Sequence, residues 1–203
     1  MAQADGKADD IADGMANEMA NDTGGRLSGL MTRAEALGGG AAPVHLWHPE
    51  DCGPIPMHIL ADGTWLYNGT PIGRERMVRL FASILRREPD GRFVLVTPVE
   101  MVTIEVDDAP FQAVEMAQEK GEDVETLVFR TNTGDVVRAG AEHPLRFALA
   151  PENDGLVPYV LVRGGLEARL TRPTALELAE LIVPEGDAMG VWTGGRFFAV
   201  PEV

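Results

Sequence analysis

The stretch Thr64 to Pro98, TWLYNGTPIGRERMVRLFASILRREPDGRFVLVTP, constrains the fold more than any other. Asn68-Gly69 separates TWLY from TPI. A two-residue hairpin turn of type I′ needs positive φ at both central positions, which Asn-Gly tolerates. Asp62-Gly63 is a second turn of that kind, so MHIL, TWLY and TPI read as a short meander. Gly73 then serves as an N-cap, and Arg74 to Glu88 carry one amphipathic helix. Pro89-Asp90-Gly91 stops it, because proline lacks a backbone donor and clashes with the preceding turn. The strand GRFVLVT follows.

Winding this helix at about 100° per residue places Met77, Val78, Leu80, Phe81, Ile84 and Leu85 on one face. Arg76, Arg79, Arg86 and Arg87 fall off that face, as a solvated surface or a contact for an acidic partner. Arg74 differs, lying within about 20° of Phe81 and Leu85. It also starts the helix, where the macrodipole disfavours a cation by up to about 1 kcal/mol. A guanidinium there needs an anion from the protein or from a ligand. A second copy follows: Leu170-Thr171-Arg172 matches Ile72-Gly73-Arg74, with Leu176, Leu178 and Ile182 in place of Val78, Leu80 and Ile84. Arg172 again starts a helix, expected over Pro173 to Val183 with Thr171 as N-cap, and GRFFAVP echoes GRFVLVTP.

Residues 1–43 carry seven acids against three bases and no aromatic. The first 25 or so are expected to be disordered, since they bury too little apolar area to offset chain entropy. Arg26 to Leu37 reads as a short helix, followed by a linker. The segment 44–61 reads as irregular because of Pro49, Pro54 and Pro56. It holds His45, His48, Cys52 and His58, whose spacing matches no compact zinc pattern. In VEMVTIEV, Val102, Ile104 and Val106 share a face with Glu100, and an inward glutamate requires a partner, for which Arg74 or Arg172 is the expected choice. Later strands are expected over 111–117, 124–131 and 135–139, and a pair over 158–170 turns at Gly164-Gly165. There Tyr159, Leu161 and Arg163 share a face, with Glu167 across the turn.

The net charge of −15 disfavours a nucleic-acid polymer as partner, because phosphate contacts supply most of that affinity. No apolar run reaches the roughly 18 residues of a membrane span, and no signal peptide is legible, so no membrane partner is expected. A single cysteine fits a reducing compartment, and the expected location is a bacterial-type cytoplasm. Phosphate-binding, dinucleotide, zinc-protease and serine-hydrolase motifs are lacking, so no catalytic residue, metal or cofactor is assigned.

The motifs PIGRERMVRLFASILRRE, LVTPVE, DDAPF, FRTNTGD, HPL and PYVLVRGGLEARLTRP, in that order, resemble a bacterial family catalogued as domain of unknown function 1285. The resemblance covers about residues 43 to 200. It implies a duplicated core, a C-terminal part superficially like a pleckstrin-homology barrel, and a cleft between the halves. It also implies a nucleotide-like ligand and a role in signal transduction. Gly73 stands where that family more typically has a hydroxyl residue.

The expected fold is α+β and mainly antiparallel, with two related β-rich halves that each carry one amphipathic helix. Residues 1–43 are the acidic tail and linker, 44–98 the N-terminal β-α-β half, and 99–203 the barrel-like C-terminal half. The expected function is a cytoplasmic regulatory or sensing protein. It would bind a small anionic ligand, a nucleotide among the candidates, at the junction of the halves through Arg74, Glu100, Arg163, Glu167, Arg172 and His143. Against this stands the reading that the arginines and glutamates neutralise one another in an ion-pair network. A protein-interaction module with a signalling partner is the alternative function, and a hydrolase using His143 as a base is the third.

Overall fold

The computed structural model describes residues 29–34, 41–121, 124–150 and 155–201. The tail expected to be disordered lies outside them, apart from 29–34, which are helical (α1) within the helix expected over 26–37. Leu30 and Ala34 of α1 are buried in the core.

The Asn68-Gly69 turn forms with both φ angles positive, 49° and 72°, and joins β2 (Trp65–Tyr67) to β3 (Thr70–Pro71). These two strands pair with each other, and β2 also pairs with β1 (Asp51–Ile59). Residues 51–59 of the segment read as irregular are therefore a strand, and a central one, while 44–46 form a 3-10 turn. The strand's prolines are accommodated because the register against its other neighbour, β6 (Met101–Val106), shifts on both sides of Pro54. The helix α2 (Glu75–Ser83) is shorter than expected. Ile84 ends it, and Leu85 opens β4 (Leu85–Arg87), which pairs with β5 (Phe93–Val96). Both Ile84 and Leu85 are fully buried all the same. Apolar periodicity located the buried positions, and strand pairing decided their backbone.

The first sheet has the order β3-β2-β1-β6-β5-β4, with β1 and β6 parallel and the other pairs antiparallel. A second sheet repeats this wiring with β7 (Phe111–Lys120), β8 (Glu125–Thr131), β9 (Val136–Arg138), β10 (Leu145–Leu149), β11 (Leu156–Arg163) and β12 (Leu166–Leu170). Its order is β10-β11-β12-β7-β8-β9, with β7 and β12 parallel. The expected fold class is thus found: two β-rich halves, mostly antiparallel, with few helices. The repeat, however, is not the one drawn from the sequence. The helix α2 lies inside the wiring of the first sheet, whereas α3 (Arg172–Ala179) follows the completed second sheet. GRFVLVTP supplies β5 between two neighbours, while GRFFAVP supplies β15 (Arg196–Ala199), an edge of a third sheet with β13 (Val183–Glu185) and β14 (Ala188–Thr193). The boundary expected at 98/99 falls in the turn between β5 and β6, which pair with each other. The chain instead passes between the sheets at residues 107–110.

One continuous core joins all these parts. Trp65 stacks on Phe81 of α2 with centroids 6.4 Å apart, and the same buried cluster includes Phe111 and Phe129 of the second sheet and Val191 of the third.

Candidate functional site

The inward pair of guanidinium groups expected at the helix starts is absent. Arg74 is the N-cap of α2, with extended backbone (φ −99°, ψ 102°), and its side chain is exposed. Its phase on a helical wheel has no meaning, because the helix begins one residue later. Arg172 opens α3, with Thr171 as N-cap as expected, and is exposed too. Neither has an ion pair or side-chain hydrogen bond among the described residues.

The other charged candidates are paired, with partners the sequence did not indicate. Glu100 is mostly buried against Arg33 of α1, not against Arg74 or Arg172. Glu167 accepts two hydrogen bonds from Arg146, at 2.8 and 2.7 Å. Arg163 donates to Asp135 at 2.5 Å and to the carbonyl of Ala82 in α2 at 2.8 Å, and lies over the Phe111 ring at 5.0 Å. The expected arginine surface on α2 is also divided. Arg76 and Arg79 are exposed, Arg79 within reach of Glu75 at 3.3 Å. Arg86 is drawn in to Glu88 and to the carbonyls of Val44 and Trp47, and Arg87 lies over Phe93.

The crossover between the halves is hydrogen-bonded to both of them. In DDAPF, Asp107 faces the first half, 2.6 Å from His58 Nε2 and accepting from the Ala61 amide at 3.2 Å. Asp108 faces the second half and accepts from the Tyr159 hydroxyl at 2.9 Å and from Arg169 at 3.0 Å. Tyr159 lies beneath Arg146, whose guanidinium carbon is 3.9 Å from the ring centre. Burial, and then the Asp108 hydrogen bond, raise the Tyr159 phenol above its ordinary range. Gln112 completes the seam by donating to the carbonyl of Ala61 at 3.1 Å.

Among the described residues, His143 lies beside a groove. An open groove of about 430 Å³ is lined by Thr126, Arg138, Gly140, Glu142, His143 and Gly194, among others. Nδ1 of His143 is 3.0 Å from the carbonyl of Leu161, which only accepts, so Nδ1–H donates to it and orients the ring. Arg138, at the same groove, is held by both oxygens of Glu119 at 2.9 Å. The wall near Gly194 is a tight approach. A Cβ there would lie 2.6 Å from the carbonyl oxygen of Ala139, and φ is +56°. Thr193 fastens the turn by donating to Ala139 at 3.0 Å and accepting from the Leu127 amide at 2.8 Å.

The third sheet carries a feature missed in the sequence. Its inner face buries Val191 and Thr193. By register its outer face gathers Val183, Glu185, Ala188, Gly190, Trp192, Phe197 and Ala199. Trp192 is 48% exposed, tilted at 51° against Phe197 with centroids 5.5 Å apart, and its indole donates to Glu185 at 3.2 Å. The alternation in AMGVWT already sets Trp192 opposite Val191. What it lacks is any sign of which face meets the core.

Two six-stranded sheets of one wiring, laced at a short acidic crossover and followed by a helix and a small third sheet, define a two-domain, β-rich class of protein. The chain belongs to the DUF1285 family. The N-terminal domain of this family, a domain of unknown function, matches residues 42–109, and its C-terminal domain matches residues 110–200. The division coincides with the crossover. A DUF1285 family protein from Silicibacter pomeroyi DSS-3 is 47% identical, with a TM-score of 0.78 over 84% of this chain and 93% of that one. Another, from Shewanella baltica OS155, is 27% identical, with a TM-score of 0.49 over 62% and 91%. No curated protein matches. No helix among the described residues is long and apolar enough to cross a membrane.

Proposed function

We propose that this chain is a cytoplasmic regulatory module that acts by binding another protein through the outer face of its third sheet. The observation that carries the reading is the half-exposed Trp192, held in place by Phe197 and Glu185. An exposed aromatic surface that is already ordered loses little entropy on docking, which is what binding hot spots require. Exposed Val183 and Ala199 widen that surface. The test places a photo-crosslinking amino acid at Ala199 in producing cells, with the exposed Val136 as the control position. A discrete crosslinked partner at Ala199 that disappears with Trp192→Glu supports the reading. Equal patterns at the two positions, or none at Ala199, sink it.

A small anionic ligand of nucleotide type is the second reading, and the groove beside His143 favours it. Its volume lies in the range of small-ligand sites, and His143 is oriented there by its bond to Leu161. Arg74, Arg163 and Arg172 do not line that groove. A thermal-shift screen of mono-, di- and cyclic nucleotides tests it: a shift abolished by His143→Ala supports it, and no shift with any of them removes it.

A further inference from the structure

The chemistry of the partner is legible in the same sheet, and this step rests on the protein-binding reading above. By register, the outer face of β13–β15 carries two aromatic rings and one carboxylate, Glu185, and no basic residue. Arg196 pairs with Thr193 and so belongs to the opposite face. The indole occupies Oε2 of Glu185, which leaves Oε1 free of that bond. Asp187, in the β13–β14 turn, is exposed as well. A cation over an indole face is attracted by the ring quadrupole, and a carboxylate at the ring edge adds Coulomb attraction for the same charge. The protein has 32 acids against 17 lysines and arginines, so long-range attraction acts in the same direction.

We propose that Trp192, Phe197 and Glu185 form a cation-binding site that takes an arginine or lysine side chain from the partner protein. The guanidinium or ammonium group stacks on Trp192 while Glu185 accepts a hydrogen bond from it. Phe197 holds the indole: its ring lies over Gly190, where an added Cβ would come within 2.5 Å of Cζ, so the aromatic pair is anchored to the strand below.

The test uses the full chain and acetyl-(Arg-Gly)3-amide as probe, with the Glu-Gly and Leu-Gly peptides of the same length for comparison. The readout is the indole Nε1–H resonance of each of the three tryptophans, assigned with Trp192→Phe. The expected result is a saturable shift of the Trp192 resonance alone with the arginine peptide. It should weaken at least about threefold in Glu185→Gln and decline with added salt. Both substituted residues are exposed, so the variants fold. Shifts shared equally by all three tryptophans, or none at Trp192, overturn the proposal. A Trp192 shift with the leucine peptide but not the arginine peptide also overturns it, and leaves the protein-binding reading standing. Crosslinking at Ala199 decides that reading separately.

Discussion

Replacing Arg163 by methionine tests the account of how the two halves are joined. The guanidinium makes two charge-assisted hydrogen bonds, to Asp135 in its own sheet and to the carbonyl of Ala82 at the end of α2 in the other half. Such bonds contribute about 1.5–3 kcal/mol each when fully buried. Here the side chains of Arg163 and Asp135 are 23% and 26% exposed, so water replaces part of each interaction. About 1 kcal/mol for each bond is the reasonable value. Methionine retains the apolar contact with Phe111, so the expected loss is about 2 kcal/mol. For a chain of this size that corresponds to a drop in Tm of about 4–8 °C, measured by circular dichroism. Asp135→Asn in a double-mutant cycle isolates the pair. Asp135 also accepts from the Thr133 hydroxyl at 2.9 Å, a bond that asparagine keeps. The double variant is therefore expected to fall short of the summed single losses by about 1 kcal/mol. A change in Tm below 1 °C for Arg163→Met, or additivity in the cycle, would refute the reasoning.

Arg74→Met with Arg172→Met should change stability by no more than about 0.5 kcal/mol in urea, because both side chains are exposed and have no partner among the described residues; a loss of 2 kcal/mol would restore the inward geometry expected from the sequence. Gly194→Ala should destabilise by about 3 kcal/mol, of which left-handed strain supplies about 1–2 and the contact with Ala139 the rest. Gly195→Ala, at φ +72° with nothing near its Cβ, should lose only the strain; equal losses would contradict the close packing of the third sheet. Tyr159 contributes to the alkaline limit. Its raised pKa means that the folded state keeps a proton the unfolded state releases, so stability is complete below the ordinary phenol value of about 10 and is lost as pH rises through the folded value. Denaturation at pH 9 and 11 should show this decline reduced in Tyr159→Phe, with Tyr67, also raised by burial, supplying the remainder. An unchanged decline would exclude Tyr159 as its source.

Local chemistry determined a good part of this protein before any tertiary contact is considered. Asn68-Gly69 and Gly164-Gly165 adopt the positive φ angles their turns require, Thr171 stands at the N-cap position of α3, and the apolar spacing of Phe81, Ile84 and Leu85 marks buried positions. Each depends on residues within a turn or two of one another. The partners of the charged side chains depend on which distant segments meet, and there the sequence is silent. Nothing near Glu100 points to Arg33, nothing near Arg163 to Ala82, and nothing near Asp108 to Tyr159. The parallel pairing of β1 with β6, and of β7 with β12, leaves no local trace either, and it is this pairing that sets the true repeat. Arg74 does not take the inward placement expected of it because helical phase ceases where helical backbone does. Trp192 became a candidate only when packing showed which face of its sheet was covered, since alternation separates two faces without saying which of them meets water.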